Sequence, residues 1–325
     1  MRGSKLSAVR AVLIREFGGP EVLEAAEVQA PAAGPAELLI SVRLAGVNFA
    51  DTHRRGGSYI GGATLPAIPG SEVVGVRLDT GERVLAYCGA GGYAEQVTAA
   101  RELVFPIPDG VEDAVALALL IQGCTAWHLY RTAAHLQPGE SVVVHSAAGG
   151  VGSLALQLAH PFGAARVIAT ASSEPKLALA RELGADAAVL GGAEGLAERL
   201  LEANAGDPLD VILDAAGGAV FSASRAALAP FGRIVAYGIS SSEPNELRTS
   251  SLLRTSHGVV GFWITHCIER PGMLAVALAD LFERVAAGTL RPLIGGVYPL
   301  AEAAQAHVDL AARATTGKLA IDVTR

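Results

Sequence analysis

The segment Ser141-Val-Val-Val-His145-Ser-Ala-Ala-Gly149-Gly150-Val151-Gly152, followed at once by Leu154-Ala-Leu-Gln-Leu-Ala159, constrains the fold more than any other stretch. Its consecutive valines predict a strand buried on both faces, and the apolar run after the glycines predicts a helix. A glycine-rich turn between the two lets backbone approach a ligand without an intervening Cβ. The N–H groups at the helix start then point at an anion, which is how a pyrophosphate is held. Against the dinucleotide pattern G-x-G-x-x-G the matching residues are Ala147, Gly149 and Gly152, with alanine in the first place. Ala148, Gly149, Gly150, Val151 and Gly152 are therefore the candidate phosphate-binding turn.

What surrounds this turn strengthens the reading. Val142–His145, Arg166–Ala171, Ala187–Leu190, Asp210–Asp214, Gly232–Tyr237 and Val259–Phe262 are short apolar strands separated by Ala/Leu-rich helical stretches. That alternation predicts a doubly wound parallel sheet of Rossmann type over 119–264. Upstream the signals are mostly β with Gly and Pro punctuation: Val9–Ile14, Leu38–Leu44, Val73–Val76, Arg83–Ala86 and Tyr93–Val97. Downstream come a helix over 273–287, a strand over 295–298, a helix over 301–314 and a strand over 318–323. These closing elements are too few to fold alone. They are expected to return to the first domain, giving one domain from 1–118 and 265–325 with the nucleotide domain inserted.

At 325 residues the chain is long enough for two cores. Its mean hydropathy of +0.39 is high, but no apolar run reaches the length of a membrane span. Met1-Arg-Gly-Ser-Lys-Leu6 lacks the apolar region of a secretory signal and reads partly as a leader, so a cytoplasmic location is expected. A net charge of −7 with no basic block argues against nucleic-acid binding. Cys88, Cys124 and Cys267 show no metal-ligand spacing and read as small buried hydrophobes in a reducing compartment.

Together these residues resemble a zinc-free medium-chain dehydrogenase/reductase of the quinone oxidoreductase (zeta-crystallin-like) group, over nearly the whole length. The likeness rests on Phe17-Gly-Gly-Pro-Glu-Val-Leu23, Gly46-Val-Asn-Phe-Ala-Asp51 with Tyr59, Pro69-Gly-Ser-Glu72, and Gly92-Tyr-Ala-Glu95. It continues through Val144–Gly152, Leu183-Gly-Ala-Asp186 and Gly317-Lys318. It implies an α/β Rossmann domain inserted in a mostly β, GroES-like catalytic domain, and hydride transfer from a nicotinamide nucleotide. Zinc-dependent relatives hold a catalytic metal with a Cys, a Gly-His-Glu segment and a further Cys. Here those positions read Asn48, Gly70-Ser71-Glu72 and Ile121, and the four-cysteine structural zinc lobe is absent. No metal is expected, which argues against alcohol oxidation for want of a Lewis acid.

The strand Arg166–Ala171 runs into Ser172-Ser173-Glu174-Pro175-Lys176, with no acidic residue where a ribose 2′-hydroxyl would be bonded in an NAD-selective fold. Ser172 and Ser173 can donate to a 2′-phosphate and Lys176 can supply charge, which favours NADPH. Glu174 counts against it, as does Val189-Leu190 where relatives often place a tyrosine, and Lys176 also reads as a solvated helix residue. By resemblance, Asn48, Asp51 and Thr52 line the reaction site on the catalytic-domain side, and Thr125 lies near the nicotinamide. Asp214, Ala215 and Gly217, then Tyr237, Gly238 and Ser240, fall at the carboxyl ends of strands, where open α/β sheets bind ligands. Val260, Gly261 and Phe262 are expected near the carboxamide. Lys318 reads either as a cofactor contact or as a surface lysine.

Tyr59, Phe262 and Trp263 are the aromatic candidates for a flat substrate. Trp263 reads equally as an edge or interface aromatic. His53, Arg54 and Arg55 can draw in an anionic acceptor or form a solvated face. His128, His135 and His160 read as packing or surface, and His145 as part of the turn with no catalytic duty. A quinone accepts electrons with little need of a general acid. Asn48 or a water can bond the developing oxyanion, and for an enone or enoyl thioester Tyr59 is the candidate proton donor. Quinone reduction is the leading expectation. The alternatives are NADPH-dependent double-bond reduction and NADPH binding with little catalysis. The sixth strand, Val259–Phe262, is expected to form the edge of the sheet, and the apolar segment Val259–Ile264 fits an edge covered by a second copy, making a homodimer.

Overall fold

The structure is a computed structural model that describes residues 8–270 and 272–325. The leader reading of Met1–Leu6 lies outside them. Contacts divide the chain into two compact units: the residues up to Ile121 with Pro292–Arg325, and Gln122–Arg291. Among the described residues no helix is long and apolar enough to cross a membrane.

The second unit is the Rossmann domain. Its six strands are ordered Ala187–Leu190, Arg166–Ala171, Ser141–Val144, Leu209–Asp214, Leu228–Ala236, Gly258–Gly261, and every neighbouring pair is parallel. Ser141–Val144 sits between the second and fourth strands in chain order, so the topological switch point lies at its carboxyl end, where the glycine turn begins. All four residues of that strand are buried, as a strand covered on both faces requires. Its core joins Val143, Ile168, Ile212 and Ile234 with Leu196, Leu200 and Phe221 from the covering helices.

The expected boundary at 264 moves to 291. The helix Met273–Ala286 belongs to the Rossmann unit instead of returning to the first. The reason is packing around Trp127: its indole Nε1 donates to Asp280 at 2.8 Å, and Arg284, bonded to the same Asp280 at 2.9 Å, lies over the Phe162 ring.

The first unit is mostly β. Its seven-stranded sheet runs Ile294–Pro299, Lys318–Asp322, Glu37–Val47, Glu72–Arg77, Arg83–Tyr87, Val104–Pro106, with Gln96–Ala100 also paired to Glu37–Val47. A separate hairpin pairs Ala8–Leu13 with Glu24–Gln29. The expected strand Tyr93–Val97 begins later, because Gly92 and Tyr93 donate instead to the carbonyls of Gly70 and Pro69, each at 2.9 Å. The closing strand Lys318–Asp322 is almost wholly buried and lies antiparallel to Leu44–Val47, which brings Lys318 beside the Val47-Asn48 corner.

Candidate active site

In the first unit, the strand Glu37–Val47 ends at Asn48, and the helix Phe49–Arg55 starts immediately after it. Asp51 caps that start: its Oδ2 accepts the Asn48 N–H at 2.8 Å. Beneath this corner lies a buried polar cluster. Asn48, Asp51, Glu72 and Lys318 are 5, 1, 0 and 1 % exposed. The Lys318 ammonium forms an ion pair with Glu72 and donates to Asn48 Oδ1 at 3.1 Å. Asn48 Nδ2 donates to Glu72 Oε1 at 2.8 Å, and the Ile121 N–H donates to Glu72 Oε2 at 3.0 Å. Ile121 lies in a widened, π-helical turn over Leu119–Gly123, the kind of turn that leaves backbone groups without their usual partners.

Sequence reasoning read Glu72 as the remnant of a metal segment and Lys318 as a ligand contact or a surface lysine. Neither reading anticipates the pair, which converts both into a neutralised interior unit; the surface alternative is excluded by burial. Gly46 carries a signal for it. A Cβ there would lie 2.4 Å from Glu72 Oε1, so glycine two residues before Asn48 is what makes room for the carboxylate.

This donor set does not fit zinc. An ammonium already sits on the Glu72 carboxylate, and Asn48 and Ser71 replace thiolate and imidazole donors. Among the described residues, no group of three or more His, Cys, Asp and Glu side chains could hold a metal ion. Burial pushes the Asp51 carboxyl up to about 6, against the lowering influence of Arg54. Its Oδ1 is buried without a hydrogen-bond partner, and Arg54 Nη1 lies 3.7 Å away. Thr52 bonds back to the Phe49 carbonyl at 2.7 Å. Tyr59 is half-buried, and the Arg54 guanidinium carbon sits 4.4 Å from its ring centroid. Arg55 turns inward: Nη1 donates to His307 Nδ1 at 3.1 Å, and the His307 ring then meets the Tyr93 hydroxyl at 3.1 Å.

The second unit carries the glycine turn. Ser146 adopts φ 52°, the Ala147 N–H donates to the Thr170 carbonyl at 3.0 Å, and the helix Gly150–Ala159 follows with Gly149 as its cap. A Cβ on Gly152 would lie 2.4 Å from the Ser146 carbonyl oxygen and 2.8 Å from Ala147 Cα, so helix and turn approach too closely for any side chain. The first-turn N–H groups have no intrahelical acceptor. This cradle fits a pyrophosphate.

His145 braces the turn from below. Ser224 gives its proton to the Val220 carbonyl, so its oxygen accepts from His145 Nε2 at 2.8 Å, and Nδ1 accepts from the Thr170 hydroxyl at 2.8 Å. Burial holds this imidazole down at about 4 and therefore neutral.

The other candidates of this unit follow strand ends. Ser172 is exposed. Ser173 caps the helix Glu174–Glu182 with backbone geometry but makes no side-chain cap bond, leaving its hydroxyl unused by the helix. Glu174 is exposed and Lys176 half-buried. Asp214 is fully buried, accepts from the N–H groups of Ala216 and Gly217 at 3.0 and 3.2 Å, and is raised by burial. Tyr237 donates its N–H to the Asp214 carbonyl at 2.9 Å, and Ser240 its N–H to Ala215 at 3.0 Å, which places Gly238 in the same turn. Val260 and Gly261 close the last strand. The Phe262 N–H reaches the Ala236 carbonyl at 2.9 Å while its ring stacks with His128 at 6.3 Å. Trp263 stands edge-on to His266 at 5.4 Å, and Thr125 is buried in the helix Cys124–His128.

Comparison with known proteins agrees with this construction. Residues 34–109 match the family described as "Alcohol dehydrogenase GroES-like domain" and 150–280 the family described as "Zinc-binding dehydrogenase". The chain is 34 % identical over 316 residues to a Pseudomonas aeruginosa protein named quinone oxidoreductase, covering 93 % of this chain and 95 % of that one. It is similar to the Thermus thermophilus quinone oxidoreductase, whose structure was solved free and with NADPH (35 % identity, TM-score 0.86, 97 and 100 % of the chains covered). The Escherichia coli quinone oxidoreductase with NADPH superposes with a TM-score of 0.90 at 28 % identity, covering 96 % of this chain and 99 % of that one. With its fold, its glycine turn and relatives matched along almost their full length, the chain belongs to the medium-chain dehydrogenase/reductase family, in the zinc-free quinone oxidoreductase group.

Proposed function

We propose that this chain is an NADPH-dependent quinone reductase that works without a metal, in the cytoplasm, as a homodimer. The observation that carries the reading is the Lys318–Glu72–Asn48 cluster: the place where a zinc-dependent relative needs soft donors holds an ammonium and an amide instead. Relatives solved with NADPH support the cofactor. When bound, NADPH supplies the hydride.

The chain's own residues bind and orient. Ala148 to Gly152 hold the pyrophosphate by N–H groups, and Ser172, Ser173 and Lys176 take the 2′-phosphate. Asp214, Ala215, Tyr237, Gly238 and Ser240 flank the cofactor at strand ends. Thr125, Val260, Gly261 and Phe262 are the nicotinamide contacts of the second unit, and Asn48 and Thr52 are the cofactor contacts of the first. Lys318 acts through Asn48, because its ammonium is engaged in the interior. Asp51 holds the corner that presents Asn48. Tyr59, Phe262 and Trp263 are the aromatic surfaces for a flat acceptor. The reduced oxygens of a quinone are weakly basic, so Tyr59 need not act as an acid for that acceptor.

The dimer reading is supported by the strand Gly258–Gly261, which ends the sheet with one neighbouring strand. Gel filtration returning a monomer at micromolar concentration rejects it. Three free cysteines support a reducing compartment.

The deciding assay follows NADPH absorbance with an ortho-quinone, a para-quinone and a 2-alkenal in parallel. Quinone-dependent oxidation with a slow alkenal is expected. Dominant alkenal turnover transfers the chain to double-bond reduction, with Tyr59 as the acid to test by Tyr59→Phe. Tight NADPH binding with no acceptor turned over marks a binding protein.

A further inference from the structure

The helix Phe49–Arg55 carries His53, Arg54 and Arg55 in succession, and the fold gives each a different fate. His53 Nδ1 pairs with Ser58 Oγ at 3.0 Å. Arg55 is buried on the Gly18 carbonyl at 3.1 Å and on His307. Arg54 takes neither course. Its side chain is 23 % exposed, Nη1 donates to the Gly89 carbonyl at 3.2 Å, and its guanidinium lies 4.4 Å from the Tyr59 ring centroid. It also donates to the Tyr87 hydroxyl.

A solvated arginine keeps its head in water, whereas this one is fixed as a cation on the face of an aromatic ring. A guanidinium offers five N–H donors in a planar fork. Asp51 Oδ1 forms an ion pair with Nη1 at 3.7 Å, beyond hydrogen-bonding range, so the cation has a counterion but no bidentate pair occupies its fork. Glu72 is engaged by Lys318. The remaining match for an oriented fork beside an aromatic surface is a flat ring bearing a negative group.

We propose that Arg54 is a specificity-determining residue that selects acceptors carrying an anionic substituent, a carboxylate or sulfonate on the quinone ring. The proposal rests on the reading of Tyr59 as an acceptor surface. An uncharged quinone meets the aromatic surface but not the fork, so the two kinds of acceptor separate the effect of Arg54 from general damage to the site.

The test compares a sulfonated naphthoquinone with its uncharged parent in wild type, Arg54→Met and Arg54→Lys. In Arg54→Met, kcat/KM for the sulfonate falls by about tenfold or more, the size of one lost charge-assisted interaction. The loss appears mainly in KM, and the parent quinone changes by less than about threefold on the same scale. Arg54→Lys retains charge without the fork and falls between. Wild-type KM for the sulfonate rises with salt while that for the parent does not. Equal loss on both acceptors, or no loss on either, overturns the proposal. Should Arg54→Met fail to fold, Arg54→Lys and the salt dependence decide: a sulfonate KM that ignores both overturns it. If wild type reduces neither quinone, the quinone-reductase reading fails by itself. Calorimetric binding of the sulfonated compound to the NADP-loaded protein then judges Arg54 separately, and equal affinity in wild type and Arg54→Lys rejects it.

Discussion

Lys318 Nζ donates to Asn48 Oδ1 at 3.1 Å across 270 residues of chain. An ammonium can only donate, so this contact fixes which end of the Asn48 amide is oxygen and turns Nδ2 toward Glu72. The last strand of the chain therefore sets the orientation of the residue that opens the helix Phe49–Arg55. A metal would organise such a corner by coordination; here an ion pair and an amide do so by hydrogen bonds.

Breaking that pair from one side leaves an uncompensated charge in the interior. Lys318→Met and Glu72→Gln are each expected to lose about 3–5 kcal/mol in denaturant unfolding. Lys318→Met combined with Glu72→Gln loses less than the sum of the two single changes, because the second removes the stranded charge. Strict additivity rejects the pairing.

The pH dependence of stability carries two opposing signatures. Burial, reinforced by Arg55, holds His307 down at about 3, and burial holds His145 at about 4. Between those values and 6.5 the unfolded chain binds protons that the folded chain refuses. Each imidazole thus adds stability that is full above 6.5 and is lost as pH falls. Asp51, raised by burial to about 6, acts the other way: its contribution is full below 3.8 and is lost as pH rises through about 6. Between roughly pH 4 and 6, His307→Gln should flatten the rise of stability with pH by about 1.4 kcal/mol per pH unit, and Asp51→Asn should steepen it by about as much. Unfolding free energies measured at several pH values decide it, and slope changes of the same sign in both variants reject the assignment.

The Rossmann unit was legible because its pattern is local. Valine runs, alanine-rich helices and one glycine turn place Arg166–Ala171 and Ala187–Leu190 to the residue. The helix Met273–Ala286 was legible as a helix but not in its allegiance, which depends on a long-range contact between Trp127 and Asp280. The polar cluster was hidden for the same reason: Glu72 and Lys318 lie 246 residues apart, and neither has a sequence neighbour that marks it as buried. Arg54 and Arg55 are adjacent and chemically alike. Their separation into a ring-stacked cation and an interior one follows from helix phase against Tyr59 and His307, which no periodicity of a seven-residue helix specifies.

Gly152 tests the phosphate turn. Gly152→Ala drives a methyl into the Ser146 carbonyl and the Ala147 backbone, neither of which is a flexible side-chain end. We expect about 1–3 kcal/mol of lost stability from overpacking. NADPH affinity should fall by about tenfold or more, since every 1.4 kcal/mol of lost fit is a factor of ten. Gly149→Ala meets the Ser146 oxygen at 3.2 Å and should be milder on both counts. Fluorescence titration of NADPH against the three proteins gives the order, and equal affinities would show that the turn does not hold the cofactor.

Cofactor choice is the last test, and it turns on Ser173 and Lys176. Ser173 has the backbone geometry of a helix cap but gives the helix no side-chain bond, so its hydroxyl is available to a phosphate oxygen. Ser173→Ala and Lys176→Ala should each weaken NADPH by about tenfold or more, as expected for losing a hydrogen bond to a doubly charged group. NADH, which lacks that phosphate, should change little. Glu174, exposed at the start of the same helix, opposes the phosphate; Glu174→Gln should therefore tighten NADPH relative to NADH. Parallel titrations with both nucleotides separate this from structural damage. A Ser173→Ala loss shared equally by NADPH and NADH would assign the serine to the helix end and leave the 2′-phosphate without a partner there.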